Sequence, residues 1–140
     1  MRTTQRGVTL MELLVVVAIV GILASIAIPT YRQYAIRTNR SSAKIALSQS
    51  AQALERCYNN STPYAYDSAI CAATVPLPYN TQDGFYTISG VVNAQDYTLT
   101  ATPQGGQVQD TRCANFVLNS ANQRTVTGSL AATPNECWQK

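Results

Sequence analysis

The chain has 140 residues, with 10 Lys+Arg against 7 Asp+Glu, no His and four Cys. That length suits one domain with a buried core. The lack of His excludes His-based catalysis and His metal ligation, and the 12% of charged residues is about half the usual ~25%. Without Arg2 and Arg6, eight basic residues face seven acidic ones. So neutral a body argues against a nucleic-acid or anionic-membrane binder driven by overall charge.

Residues 13–31 carry no charge, a run of 19 residues close to the ~20 that cross a bilayer as a helix. Arg2 and Arg6 precede it, and Arg32, Arg37 and Arg40 follow, so charge gives no strong orientation. Three plain readings compete: a single-pass anchor, a secretory signal peptide ending at the small-x-small triplet Ser25-Ile26-Ala27, and a buried core helix. Glu12 fits none of them well. A carboxylate at membrane depth costs roughly 3 kcal/mol or more on insertion scales, so it needs a partner. A free amine made by cutting the chain just upstream would serve, and Gly7 offers a small, flexible cut point behind a short basic leader.

The run Gly7-Val8-Thr9-Leu10-Met11-Glu12, followed by the long apolar segment, resembles the prepilin cleavage motif of type IV pilins. The resemblance implies that a prepilin peptidase cuts between Gly7 and Val8 and that the new amine of Val8 is N-methylated. The family usually has Phe or Met where this chain has Val8. Thr9 and Glu12 become the residues that register the subunit during assembly. Paired with the N-terminal amine of a neighbouring subunit, a buried Glu12 is offset by a low-dielectric Coulomb term, whereas a misregistered subunit leaves it unpaired. Residues 1–7 are expected as a removed leader, 8–31 as a transmembrane and fibre-core helix, and 32–140 as a periplasmic or extracellular head. The implied partners are the prepilin peptidase, other major and minor pilins, the inner-membrane assembly platform, and the inner membrane itself before assembly. No cofactor and no metal are implied.

Within the apolar segment, Pro29 removes an N–H and kinks a helix, while Gly21 and Ser25 loosen the same stretch. The resemblance implies that this stretch extends or melts in the fibre; the plain alternative is a simple kink. Beyond Pro29, Ala43, Leu47, Ala51, Leu54 and Tyr58 form one apolar face, with Arg40, Lys44, Gln52 and Glu55 off it. The helix is predicted to reach about Asn59, a rod of roughly 78 Å. Arg37, Arg40 and Lys44 form a basic cluster, read as a solvated or subunit-contacting face. Residues 60–83 read as loop. Strands are predicted at Phe85–Val92, Tyr97–Thr102, Asn115–Asn119 and Arg124–Thr127, with turns at Asn93–Asp96 and Ser120–Asn122. The expected fold is α+β: a pilin fold in which the long N-terminal helix packs on a four-stranded antiparallel sheet.

Cys57, Cys71, Cys113 and Cys137 allow three pairings, and no C-x-x-C occurs. Behind a trans-envelope helix they read as disulfides in an oxidising compartment. Proximity in sequence favours Cys57–Cys71 and Cys113–Cys137, and the second resembles the C-terminal disulfide loop of pilins. The segment Tyr97–Pro103, Asp110-x-x-Cys113, Leu118-Asn119 and the final Cys137-Trp138 are similar to the PilE-type minor pilins.

The expected function is therefore a pilus subunit, a minor pilin supporting assembly and, through it, twitching motility, adhesion or DNA uptake. A major pilin is an alternative. A DNA-binding uptake pilin, using Arg112, Arg124, Lys140 and exposed Tyr, is another and less favoured one. A type II secretion pseudopilin is disfavoured, since Asp110 and Glu136 are the only acids after Asp96 and are too few for a calcium cage. An enzyme is the least favoured, for want of any catalytic constellation.

Overall fold

A computed structural model describes residues 7–139. Most of the expected leader, with Arg2 and Arg6, and Lys140 at the other end lie outside the described residues. The chain divides into two compact units, one up to Ala35 and one from Ile36 onward.

Among the described residues, the first unit holds one helical segment. Helix α1 begins at Leu10 and extends to Asn60, so that its part from Ile36 belongs to the second unit. Its start is capped in sequence. The hydroxyl of Thr9 accepts the Glu12 N–H at 3.2 Å, and the Thr9 carbonyl accepts that of Leu13 at 3.2 Å. Thr9 thus occupies the cap position and Glu12 the third helical one, the Thr-x-x-Glu spacing of a capping box. The helix continues through Pro29. Nearby, the hydroxyls of Ser25 and Thr30 donate to the carbonyls of Ile22 and Ile26 at 2.7 and 2.9 Å. Every residue from Gly7 to Leu23 is exposed. By length and composition this helix is long and apolar enough to cross a membrane.

The second unit is the head. After α1 come α2 (Ala69–Thr74), β1 (Tyr79–Asn80), β2 (Tyr86–Val92) and β3 (Tyr97–Pro103). A 3-10 turn at Gly105–Gln109 leads to β4 (Phe116–Asn119), β5 (Arg124–Val126) and α3 (Asn135–Trp138). The strands form an antiparallel meander in the order β1-β2-β3-β4-β5. Four strands were expected, and the sheet has five. The added strand is short: Tyr79 pairs with Ile88 and Asn80 with Thr87. The stretch expected as loop, 60–83, therefore carries both β1 and α2. The Ser68 hydroxyl accepts the Cys71 N–H at 3.3 Å and caps α2.

Alternation along the strands builds one buried face. Tyr97, Leu99 and Ala101 of β3 are buried, with Leu99 opposite Leu118 and Ala101 opposite Phe116 on β4. Phe116 in turn pairs with Val126. This face forms one core with the buried side of α1. That side consists of Arg40, Ala43, Ala46, Leu47, Ser50, Leu54 and Cys57. It is rotated from the expected apolar stripe, because Ala51 and Tyr58 are only half-buried while Arg40 and Ser50 point inward. Polar partners admit both residues. Arg40 meets Asp110, and the Ser50 hydroxyl shares a 2.7 Å hydrogen bond with that of Tyr79.

Candidate functional site

Two regions carry the functional residues. The first is the N-terminal segment. Val8 is 72% exposed, and Leu10, Met11 and Leu13 are 78%, 69% and 60% exposed. A helix this apolar does not stand in water; it calls for lipid or for the apolar faces of other helices. Glu12 stands in its first turn, where the helix dipole favours negative charge. Thr9 is the residue that caps that turn. Gly21 has open space around it, and Pro29 lies inside the helix.

The second region is the face of the head where α1 meets the segment 105–113. Arg40 is 7% exposed and forms a two-pronged ion pair with Asp110: its Nε donates at 2.7 Å and its Nη2 at 2.8 Å. The sequence reading placed Arg40 with Arg37 and Lys44 on a solvated or subunit-contacting cluster. The structure corrects this, because a planar guanidinium facing a carboxylate in bidentate geometry survives burial. Asp110 also accepts the Cys113 N–H at 3.3 Å, which accounts for the Asp-x-x-Cys spacing. Next to this pair, Gln107 is 1% exposed. Its amide donates to the Ile36 carbonyl at 3.0 Å and to the Tyr86 hydroxyl at 2.9 Å, and its oxygen accepts from Asn39 at 3.2 Å. Burial pushes the Tyr86 hydroxyl pKa up, against the Gln107 hydrogen bond that lowers it. Lys44 is half-buried, and its ammonium donates to the Trp138 carbonyl at 3.4 Å. Burial, and after it the nearby Arg40, lower its pKa.

The disulfides frame this face and the far end of α1. Cys57 joins Cys71, with Cα atoms 5.4 Å apart, and Cys113 joins Cys137 at 5.9 Å. The first ties the end of α1 to α2; the second ties the segment before β4 to α3. Close to the first, Glu55 accepts hydrogen bonds from the hydroxyls of Tyr66 and Tyr97, at 2.9 to 3.0 Å. Burial, and then the Glu55 hydrogen bond, push the Tyr66 pKa up to about 12.

The two described arginines of the DNA-binding reading both stand against residues of α3. Arg124 lies 5.5 Å over the Trp138 ring, and Arg112 stands 3.9 Å from Glu136. Lys140 is outside the described residues. Asp110 and Glu136, the two acids too few for a calcium cage, each face an arginine.

Comparison with known proteins gathers these features. Residues 29–117 match a family model described as type IV minor pilin ComP, DNA uptake sequence receptor. Residues 2–28 match the prokaryotic N-terminal methylation motif. The chain is 37% identical over 100 residues to the type IV major pilin protein PilE1 of Neisseria gonorrhoeae, covering 68% of this chain and 45% of that one. It is 36% identical over 96 residues to the fimbrial protein EcpC of Eikenella corrodens, covering 67% and 58%. To the type IV major fimbrial protein FimA of Dichelobacter nodosus it is 47% identical over 57 residues, covering 41% and 36%. The matches thus span from about a third to just over half the length of these relatives. A methylation motif, an exposed apolar helix, an antiparallel meander and two disulfides converge with a family match over 89 of 140 residues: the chain belongs to the type IV pilin family, in the minor-pilin branch that the matching model describes.

Proposed function

We propose that this chain is a minor subunit of a type IV pilus, without enzymatic activity of its own. Prepilin peptidase removes residues 1–7, cutting between Gly7 and Val8, and the amine of Val8 is methylated. Residues 8–31 then hold the subunit in the inner membrane, with the head in the periplasm, until the assembly platform passes it into a fibre among major and minor pilins. The observation that carries this reading is the exposure of every residue from Gly7 to Leu23, a stretch whose one charged side chain is Glu12. Its apolar surface stays in lipid before assembly and moves against neighbouring helices afterwards. Glu12 and Thr9 set the axial register: the Glu12 carboxylate finds the methylated amine of a neighbour only at the right offset. Gly21 and Pro29 supply the weak point at which the helix adjusts as subunits close up.

The test is to shear fibres from the native host and weigh this subunit intact. The expected mass lacks residues 1–7 and carries one N-methyl group and two disulfides, at a low ratio to a major subunit. Dominance in the fibre would make it a major pilin. Absence from fibres, with the chain intact or cut after Ala27, would overturn the reading.

A second reading, uptake of DNA, has one specific support: the matching family model is described as a DNA uptake sequence receptor. Arg112, Arg124 and Lys140 would make the phosphate contacts. From Ile36 onward, however, seven basic residues face six acidic ones, a weak field for a polyanion. Duplex binding that falls steeply with salt and weakens in Arg124→Gln would establish it, and salt-independent binding or none would dismiss it.

A further inference from the structure

A cleft of about 130 Å3 in the head is lined by Arg37, Arg40, Arg112, Leu130 and Glu136. Three guanidinium groups are gathered there in a unit that is otherwise almost neutral. Arg37 is exposed and makes no ion pair among the described residues. Arg40 spends Nε and Nη2 on Asp110, and its Nη1 has no hydrogen-bond partner among the described residues. Arg112 is held only loosely by Glu136, at 3.9 Å, with the two side chains 57% and 45% exposed. Asp110 and Glu136 cancel two of the three charges, so the cleft keeps a positive excess. Burial, and after it the Arg40 charge, lower the pKa of nearby Lys44.

The backbone on one side of the cleft and the Arg40 side chain are held in place. Arg112 and Glu136 each precede one half of the Cys113–Cys137 disulfide. The Leu130 N–H donates to the Arg112 carbonyl at 2.9 Å, and the Asp110 pair locks Arg40. A rigid fork of N–H donors matches the oxygens of a phosphate group better than it matches a point acceptor. At roughly 30 Å3 per water, the volume holds about four waters, enough for one such group. A nucleic-acid strand asks for a string of cations along successive phosphates rather than one enclosed fork. Arg37 also follows the uncharged run, which ends at Tyr31, by six residues. Basic residues just beyond an apolar span attract anionic headgroups.

We propose that the cleft of Arg37, Arg40 and Arg112 binds a single phosphate group, presented by an anionic phospholipid headgroup or by a small soluble phosphate.

The test uses the full chain with two probes. One is sodium phosphate, titrated calorimetrically into the protein in nonionic detergent. The other is phosphatidylglycerol against phosphatidylcholine in nanodiscs, with retained lipid read by native mass spectrometry. The variant R37Q/R112Q, which leaves the buried Arg40–Asp110 pair intact, is expected to weaken binding about tenfold or more, the usual weight of hydrogen bonds to charged groups. E136Q removes the competing carboxylate and is expected to tighten binding, a gain that an unfolded variant cannot give. R32Q, outside the cleft, is expected to change nothing. Phosphatidylglycerol retained over phosphatidylcholine and undisturbed by phosphate identifies a headgroup; direct phosphate binding that displaces the lipid identifies the soluble anion. The proposal falls if R37Q/R112Q binds both probes like the unaltered chain, if R32Q costs as much as R37Q/R112Q, or if a DNA duplex binds at the cleft and neither probe does.

Discussion

A methyl group at Gly128 would stand 2.4 Å from the Arg112 carbonyl oxygen and 2.6 Å from that of Thr111. The obstacle is backbone, which a rotamer change cannot clear. Gly128→Ala is expected to lower stability by about 1–3 kcal/mol, the range for overpacked sites, read as a lower urea midpoint at unchanged slope. Asp83 offers a pH-dependent case. Burial disfavours its charge, but hydrogen bonds from the Ser42 and Thr81 hydroxyls and the Phe85 N–H outweigh that and hold its carboxyl below the ordinary range. A carboxyl whose folded pKa lies below the unfolded value of about 3.9 stabilises the fold above that pH. The gain is lost as pH falls through the folded value. Asp83→Asn is expected to flatten the acid limb of the stability curve below about pH 4 and to lower stability at pH 7; an unchanged acid limb would refute this role.

Among the elements, α1 and the segment 105–113 are joined by a charge pair rather than by apolar contact alone. Removing one partner leaves the other charged and buried. Arg40→Met is expected to cost about 3–5 kcal/mol, and Arg40→Met with Asp110→Leu much less than the two single changes summed. Chemical denaturation of the four chains measures the coupling. This element also shows what the sequence made legible. The apolar spacing of Ala43, Leu47 and Leu54 was enough to place α1 on the sheet. Its true buried face runs Arg40, Ala43, Leu47, Ser50, Leu54 and Cys57, at steps of three and four. Counting only apolar residues skips Arg40 and Ser50, whose burial depends on Asp110 and Tyr79, far along the chain. The alternation in Tyr97–Pro103 revealed β3, whereas β1 has two residues and is defined only by its pairing with β2. Helix α2 left a signal, Ser68 ahead of an Ala-rich run, that the neighbouring prolines masked. The motif from Gly7 to Glu12 was readable outright because it lies in consecutive residues. The arginine cleft was not, since Arg37 and Arg112 are 75 residues apart in sequence.

For the molecule as a whole, the role proposed for Glu12 belongs to the N-terminal segment, apart from the buried residues that stabilise the head. None of the head's buried residues lies before Arg40. Glu12→Ala is therefore expected to leave head stability, cleavage and N-methylation unchanged and to reduce incorporation into fibres, measured as the ratio of fibre-borne to membrane-borne subunit. Normal incorporation would remove the registration role from Glu12.

The two outer strands of the sheet carry a further consequence. β1 has two residues and β5 three, against seven in β2 and β3. An outer strand that short offers few free backbone groups to an incoming chain, so the sheet is a poor template for zipping onto a neighbour's. A protein concentrated side by side along a polymer runs a standing risk of uncontrolled aggregation. Here short outer strands blunt that risk at both rims of the sheet.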